Sequence, residues 1–140
     1  MSSNRIGIVG IDLISTSIAL ALQKREEAIE LIGYDADQAI ADLGKVRGAF
    51  DDVRRKPGPA CEGAELVIIA QPLADMERTF ADISPYLEDG AVVTDTARLK
   101  APVMRWAEDL LPEHVSFVGG HIVPNPAVVG LRGLEGLDDA

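Results

Sequence analysis

Five short apolar runs, separated by stretches with helical spacing, constrain this chain more than any other feature. RIGIV (5–9), ELIGYD (30–35), AELVIIA (64–70), AVVTD (91–95) and VSFVG (115–119) read as strands. Apart from Glu65, AELVIIA is apolar throughout, the pattern of a central strand covered on both faces. LISTSIALALQK (13–24) places Ile14, Ile18 and Leu22 on one helical face, and a short helix is expected over 37–43. Phe80, Ile83 and Leu87 form the stripe of a helix from Asp75 to Leu87, which Gly90 follows, and Val103, Ala107 and Leu110 mark another. Residues 44–63 carry a weaker signal. RRKPGPACEG (54–63) reads as a loop, with a short strand expected near Ala49 and Phe50. Strand–helix alternation of this kind builds βαβ units. The fold expected is therefore α/β: a doubly wound parallel sheet with helices on both faces, Rossmann-like, in one domain over residues 1–121. Residues 122–140, rich in Pro, Gly and acids, read as an irregular tail.

At 140 residues the chain can bury a single core. Its net charge of −10, with the acids scattered, repels nucleic acid and anionic membranes, so neither is an expected partner. Cys61 is the single cysteine, which excludes an internal disulfide and fits a reducing compartment. No run of about 18 apolar residues occurs, and the N-terminus leads straight into a strand with no signal peptide, so a cytoplasmic protein is expected.

The first strand ends in GIVGIDLIST (7–16), close to the glycine-rich turn G-x-G-x-x-G/A that receives a pyrophosphate. Gly10 can make the tight bend. Ser15 is small enough to stand where the third glycine lets the helix approach the strand. Asp12 occupies the middle position and brings a carboxylate. Aimed inward at ~5 Å from a phosphate, with an effective dielectric of ~20, it would cost about 3 kcal/mol, or a hundredfold in affinity. Hydroxyls of Ser15, Thr16 and Ser17 could offset part of that. Taken alone, the stretch is equally an ordinary strand–helix turn.

Asp35 ends the second strand, where an acid accepts hydrogen bonds from the ribose hydroxyls of NAD. With Asp37 beside it and no basic residue nearby in sequence, NAD is expected over NADP. An acid at a strand end can also simply cap the next helix. Later strands run into AQPL (70–73), TDTARLK (94–100) and GGH (119–121), at the carboxyl edge where ligands bind. His121 is expected just past a strand end, in the crevice, where an imidazole can take a hydroxyl proton during hydride transfer.

Taken in order, G-x-x-L-I-x-x-S, G-Y-D, A-x-P, T-D-x-x-x-x-K and G-G-H resemble the cofactor domain of prephenate and arogenate dehydrogenases, from about Arg5 to His121. Those enzymes oxidise a cyclohexadienol with NAD(P) and release carbon dioxide on the way to tyrosine. The resemblance implies a turn for the pyrophosphate formed by Gly10, Asp12, Leu13, Ile14, Ser15 and Ser17. It puts Asp35 on the adenosine ribose, Gln71 and Pro72 on the nicotinamide side, and Asp95 with the cofactor. Lys100 would lie near the cleft, with Arg98 beside the reacting centre and His121 as base on the substrate hydroxyl. The implied partner is a small carboxylate such as prephenate or arogenate.

Four departures accompany the resemblance. The turn is Gly10, Asp12, Ser15; Ala97, Arg98, Leu99 and Lys100 replace G-S-V-K; HIVPNP replaces the family's sequence after its histidine; and the chain ends at Ala140, about where a helical second domain would begin. Two functions follow as expectations: an oxidoreductase or its cofactor domain, and a binding or regulatory module that kept the fold without hydride transfer. A different small carboxylate, held by Arg98, is a third. A homodimer is expected through the edge that a second domain would cover.

Overall fold

The computed structural model describes residues 4–25 and 28–121. Six strands form one parallel sheet: β1 (Arg5–Val9), β2 (Glu30–Tyr34), β3 (Asp52–Arg54), β4 (Leu66–Ile69), β5 (Val92–Asp95) and β6 (Ser116–Val118). Their spatial order is β3-β2-β1-β4-β5-β6, with every pair parallel. The helices are α1 (Leu13–Gln23), α2 (Gln38–Val46), α3 (Pro57–Cys61), α4 (Leu73–Ile83) and α5 (Lys100–Leu110). The order reverses between β1 and β4, which opens a crevice at their carboxyl ends.

Alternation along the strands divides the core into two layers. Ile8, Leu31 and Ile68 point to one face and pack with Ala19 of α1 and with Phe50. Val9, Val67, Ile69 and Val93 point to the other, against Met76, Phe80 and Ile83 of α4 and Val103 of α5. Phe80 is fully buried and meets Phe117 edge to face, with ring centroids 5.6 Å apart. Its truncation to alanine would cost about 3–5 kcal/mol.

The sheet and the two-layer architecture follow the sequence reading, and four local expectations do not. Ala49 and Phe50 are buried but precede β3, which starts at Asp52. Phe50 is apolar because its ring fills the space beside Gly33 and Gly44, and backbone pairing plays no part. Within the expected loop, Pro57–Cys61 forms α3, with Pro57 in the first turn, where a missing N–H costs nothing. The helix predicted over 75–87 begins at Leu73, ends at Ile83 and passes into a 3-10 turn at Ser84–Tyr86. In addition, α2 runs three residues beyond its expected end. The predicted tail over 122–140 lies outside the described residues. Among the described residues no helix is long and apolar enough to cross a membrane.

Candidate functional site

A cleft of about 750 Å³ opens where the sheet order reverses, over the ends of β1, β2, β4 and β5. Gly10 forms its floor. Its φ of +97° suits glycine, and a Cβ there would lie 2.6 Å from the carbonyl oxygen of Ala70. The bend therefore requires the residue found. Beyond it, α1 points its N-terminus at the cleft, and the amides of its first residues, Leu13 and Ile14, have no acceptor inside the helix. Such a terminus favours an anion.

Asp12 answers part of that demand itself. It is the N-cap residue of α1: its carboxylate accepts from the Ser15 amide at 2.8 Å, and its own amide donates to Ser15 Oγ at 2.9 Å. This reciprocal box is a capping pattern, readable in the D-x-x-S spacing though not recognised there. The carboxylate thus bends back over the helix end while still lining the cleft. Ser15 is fully buried, and its hydroxyl donates to the Gly10 carbonyl at 2.8 Å. It is bonded inward and is not aimed at a ligand, contrary to the expectation that its hydroxyl would face a phosphate.

Asp35 lines the cleft as expected. Its Oδ2 accepts from the Ile11 amide at 2.8 Å and its Oδ1 from the Asp37 amide at 2.9 Å. The acid thereby ties the end of β2 to the glycine turn, and each oxygen retains a lone pair for a hydroxyl donor. Gln71, Pro72, Ile14 and Arg98 also face the cleft. Ile14 was expected in the core stripe of α1, but it stands in neither apolar cluster, because Ser15 and Ala19 take the buried face. Asp75, which the sequence reading used only to start a helix, adds a third carboxylate to the rim. It lies in the first turn of α4, and that this turn meets the cleft is a tertiary fact with no local signal.

The remaining predicted residues do not line the cleft. Asp95 is 2% exposed and turns inward. It accepts from the amides of Ala97 (3.1 Å) and Gly120 (3.0 Å) and pairs with Lys100 Nζ at 2.5 Å. Both Asp95 and Lys100 were expected at the cofactor or cleft, but each is consumed by the other in holding together the loops after β5 and β6. A side chain at Gly120 would collide with the Asp95 carbonyl at 2.2 Å, so this junction has no room for one. His121 follows it, exposed, beyond the end of edge strand β6, and is not among the residues that line the cleft. Leu13 and Ser17 likewise stay off its walls.

The sequence shows no basic residue near Asp35, and the sheet supplies one. Tyr34 pairs with Arg54 across β2 and β3, so Asp35 and Arg55 are the first residues past the ends of adjacent strands. A second cavity of about 550 Å³ lies there, sharing Ala36, Gln71 and Asp75 with the cleft. Burial first, and then the Asp35 charge, raise the Tyr34 phenol above its ordinary pKa at this wall.

Comparison with known proteins follows the same lines. Residues 18–133 match the family model for the prephenate dehydrogenase nucleotide-binding domain. The chain is 30% identical over 119 residues to prephenate dehydrogenase of Lactococcus lactis, covering 84% of this chain and 33% of that protein. It superposes on Synechocystis arogenate dehydrogenase with a TM-score of 0.74 at 28% identity, covering 84% of this chain and 40% of the other. The Aquifex aeolicus prephenate dehydrogenase in complex with hydroxyphenyl propionate and NAD+ shares the fold, with a TM-score of 0.75 at 22% identity, over 86% of this chain and 42% of that one. The chain spans about a third of the length of the Lactococcus relative.

Proposed function

The chain belongs to the prephenate dehydrogenase family through its nucleotide-binding domain, and on that premise we propose that it is the cofactor-binding part of an oxidoreductase acting on a cyclohexadienyl carboxylate such as prephenate or arogenate. The observation that carries the reading is the pairing of Gly10 and Asp35 at one crevice, bridged by the Ile11 amide. The residues present fit an adenine dinucleotide. Gly10 makes the tight bend, the first-turn amides of α1 suit a pyrophosphate, and Asp35 can accept the ribose hydroxyls. Bound there, a nicotinamide cofactor supplies hydride acceptance.

The chain's own groups would do the rest. Arg98, exposed at the cleft rim, suits a substrate carboxylate by charge and by its planar fork. His121 would accept the substrate hydroxyl proton on its imidazole, with Asp95 and Gly120 fixing the strand end from which it projects. Asp35 favours NAD over NADP, because an unmodified ribose offers two donors to a carboxylate.

NADH fluorescence titration tests the reading. Saturable binding is expected, and Asp35→Ala should weaken it about tenfold or more through loss of charge-assisted hydrogen bonds. No saturation by about 1 mM, the equivalent of about 4 kcal/mol, would refute it. One observation favours a second reading, a module that binds dinucleotide weakly and transfers no hydride: the Asp12 carboxylate already occupies the Ser15 amide. Turnover of prephenate or arogenate by this chain, alone or with a helical partner domain, would reject that alternative.

A further inference from the structure

The turn between β1 and α1 has already committed most of its backbone donors. The Gly10 amide donates to the Tyr34 carbonyl at 2.8 Å and the Ile11 amide to the Asp35 carboxylate. The Asp12 amide donates to Ser15 Oγ, and the Ser15 amide to the Asp12 carboxylate. The Thr16 amide closes the first helical bond, to the Asp12 carbonyl at 3.0 Å. Leu13 and Ile14 are left to face a ligand. The cleft rim sets Asp12, Asp35 and Asp75 against Arg98 alone. A pyrophosphate in this crevice therefore needs a donor from another wall.

Gln71 stands where such a donor is wanted. It lies two residues past β4 and lines both the cleft and the adjoining cavity. Its aliphatic stem runs against the turn, since a Cβ on Gly10 would come within 2.8 Å of Gln71 Cγ. The amide head is held by Thr79 of α4, whose hydroxyl donates to Gln71 Oε1. Thr79 is 4% exposed and is not among the residues that line the cleft. A side-chain amide has one acceptor end and one donor end, so engaging the oxygen fixes which end is free. Nε2 keeps two N–H donors, with no acceptor among the described residues. It is open to the crevice, because no buried side-chain nitrogen or oxygen among the described residues lacks a partner.

We propose that Thr79 is a positioning residue: its hydroxyl sets the Gln71 amide so that Nε2 donates to a pyrophosphate oxygen of the bound dinucleotide. The pair makes up for the turn amides that Asp12 and Asp35 take. The inference rests on the dinucleotide reading above and deepens it. A hydrogen bond from a neutral amide to a charged oxygen is worth about tenfold in affinity. Without the Thr79 hydroxyl the long Gln71 side chain has to be immobilised on binding, which weakens the ligand by about threefold to tenfold.

Calorimetric titration with 5′-ADP, which carries both phosphates, tests the pair. Gln71→Met keeps the length of the side chain without the donor and should weaken 5′-ADP about tenfold. Thr79→Val keeps the shape and should weaken it about threefold or more, while Thr79→Ser restores the hydroxyl and the parent affinity. In the Gln71→Met background Thr79→Val should have no further effect, because the two act as one unit. A purely structural role would persist there. The Gln71 side-chain NH2 signal in a nitrogen–proton spectrum, identified by its loss in Gln71→Met, should shift as 5′-ADP is added to the parent. That measurement stands even where Thr79→Val lowers the thermal midpoint. The proposal is overturned if the amide signal does not move at saturating 5′-ADP, or if a folded Thr79→Val binds like the parent. It is overturned equally if the Thr79→Val effect survives in full without Gln71. Should 5′-ADP fail to bind the parent, the dinucleotide reading itself falls and takes this role with it.

Discussion

Replacing Asp12 with asparagine isolates the charge at the helix terminus from its cap. Asparagine is as good an N-cap as aspartate, so its amide oxygen can keep the bond from the Ser15 amide, now 2.8 Å long. Stability should then hold within about 0.5 kcal/mol. The electrostatic change is larger. A carboxylate ~5 Å from a phosphate is unfavourable by about 3 kcal/mol at an effective dielectric of ~20 and by about 1 kcal/mol in bulk water. Asp12 is solvent-exposed, so the lower figure governs. The variant should bind NADH about fivefold more tightly, and the gain should shrink as salt rises from ~0.05 to ~0.5 M. Asp12→Ala serves as the control, because it removes the charge and also the cap, at about 1 kcal/mol of stability. Fluorescence titration and urea unfolding on the same samples give both quantities. If Asp12→Asn binds NADH no more tightly while its stability is intact, the carboxylate does not oppose the ligand, and the electrostatic account of this turn is wrong.

Other consequences are direct. Asp95→Asn should cost about 3 kcal/mol in chemical unfolding, because it leaves Lys100 without its partner and weakens two loop amide bonds at once. Hydrogen bonds from Lys45, the Val53 amide and Arg54 lower the Asp52 pKa from 3.8 to about 2. A depressed carboxylate pKa stabilises the fold above pH 3.8, and that contribution is lost as pH falls through about 2. Acid titration of stability should therefore show a loss between those values that is reduced in Asp52→Asn. Burial pushes the Cys61 thiol up to about 12, so iodoacetamide should label it only after unfolding; labelling of native protein at neutral pH would contradict its placement.

The amino-acid sequence by itself determined five of the six strands, most of the helices and the parallel, doubly wound arrangement. Apolar runs and helical periodicity are local patterns, and burial on both faces of a sheet demands them. It also determined the bend at Gly10 and the acid at Asp35, since a positive φ and a strand-end carboxylate are both written in single residues. Only the tertiary structure decided where the charged groups point. Asp12 and Asp95 are both acids at element ends, yet one curls over a helix terminus at the cleft rim and the other is buried against Lys100. Which occurs depends on amides supplied by other segments: Gly120, for one, lies 25 residues from Asp95. Lateral strand order was equally invisible locally. Nothing in GYDAD or in RRKPG announces that Asp35 and Arg55 directly follow adjacent strands, because parallel neighbours are joined by crossovers and not by a turn. Local sequence carries backbone preference and burial, whereas the partner of a charge is chosen by the packing of distant elements.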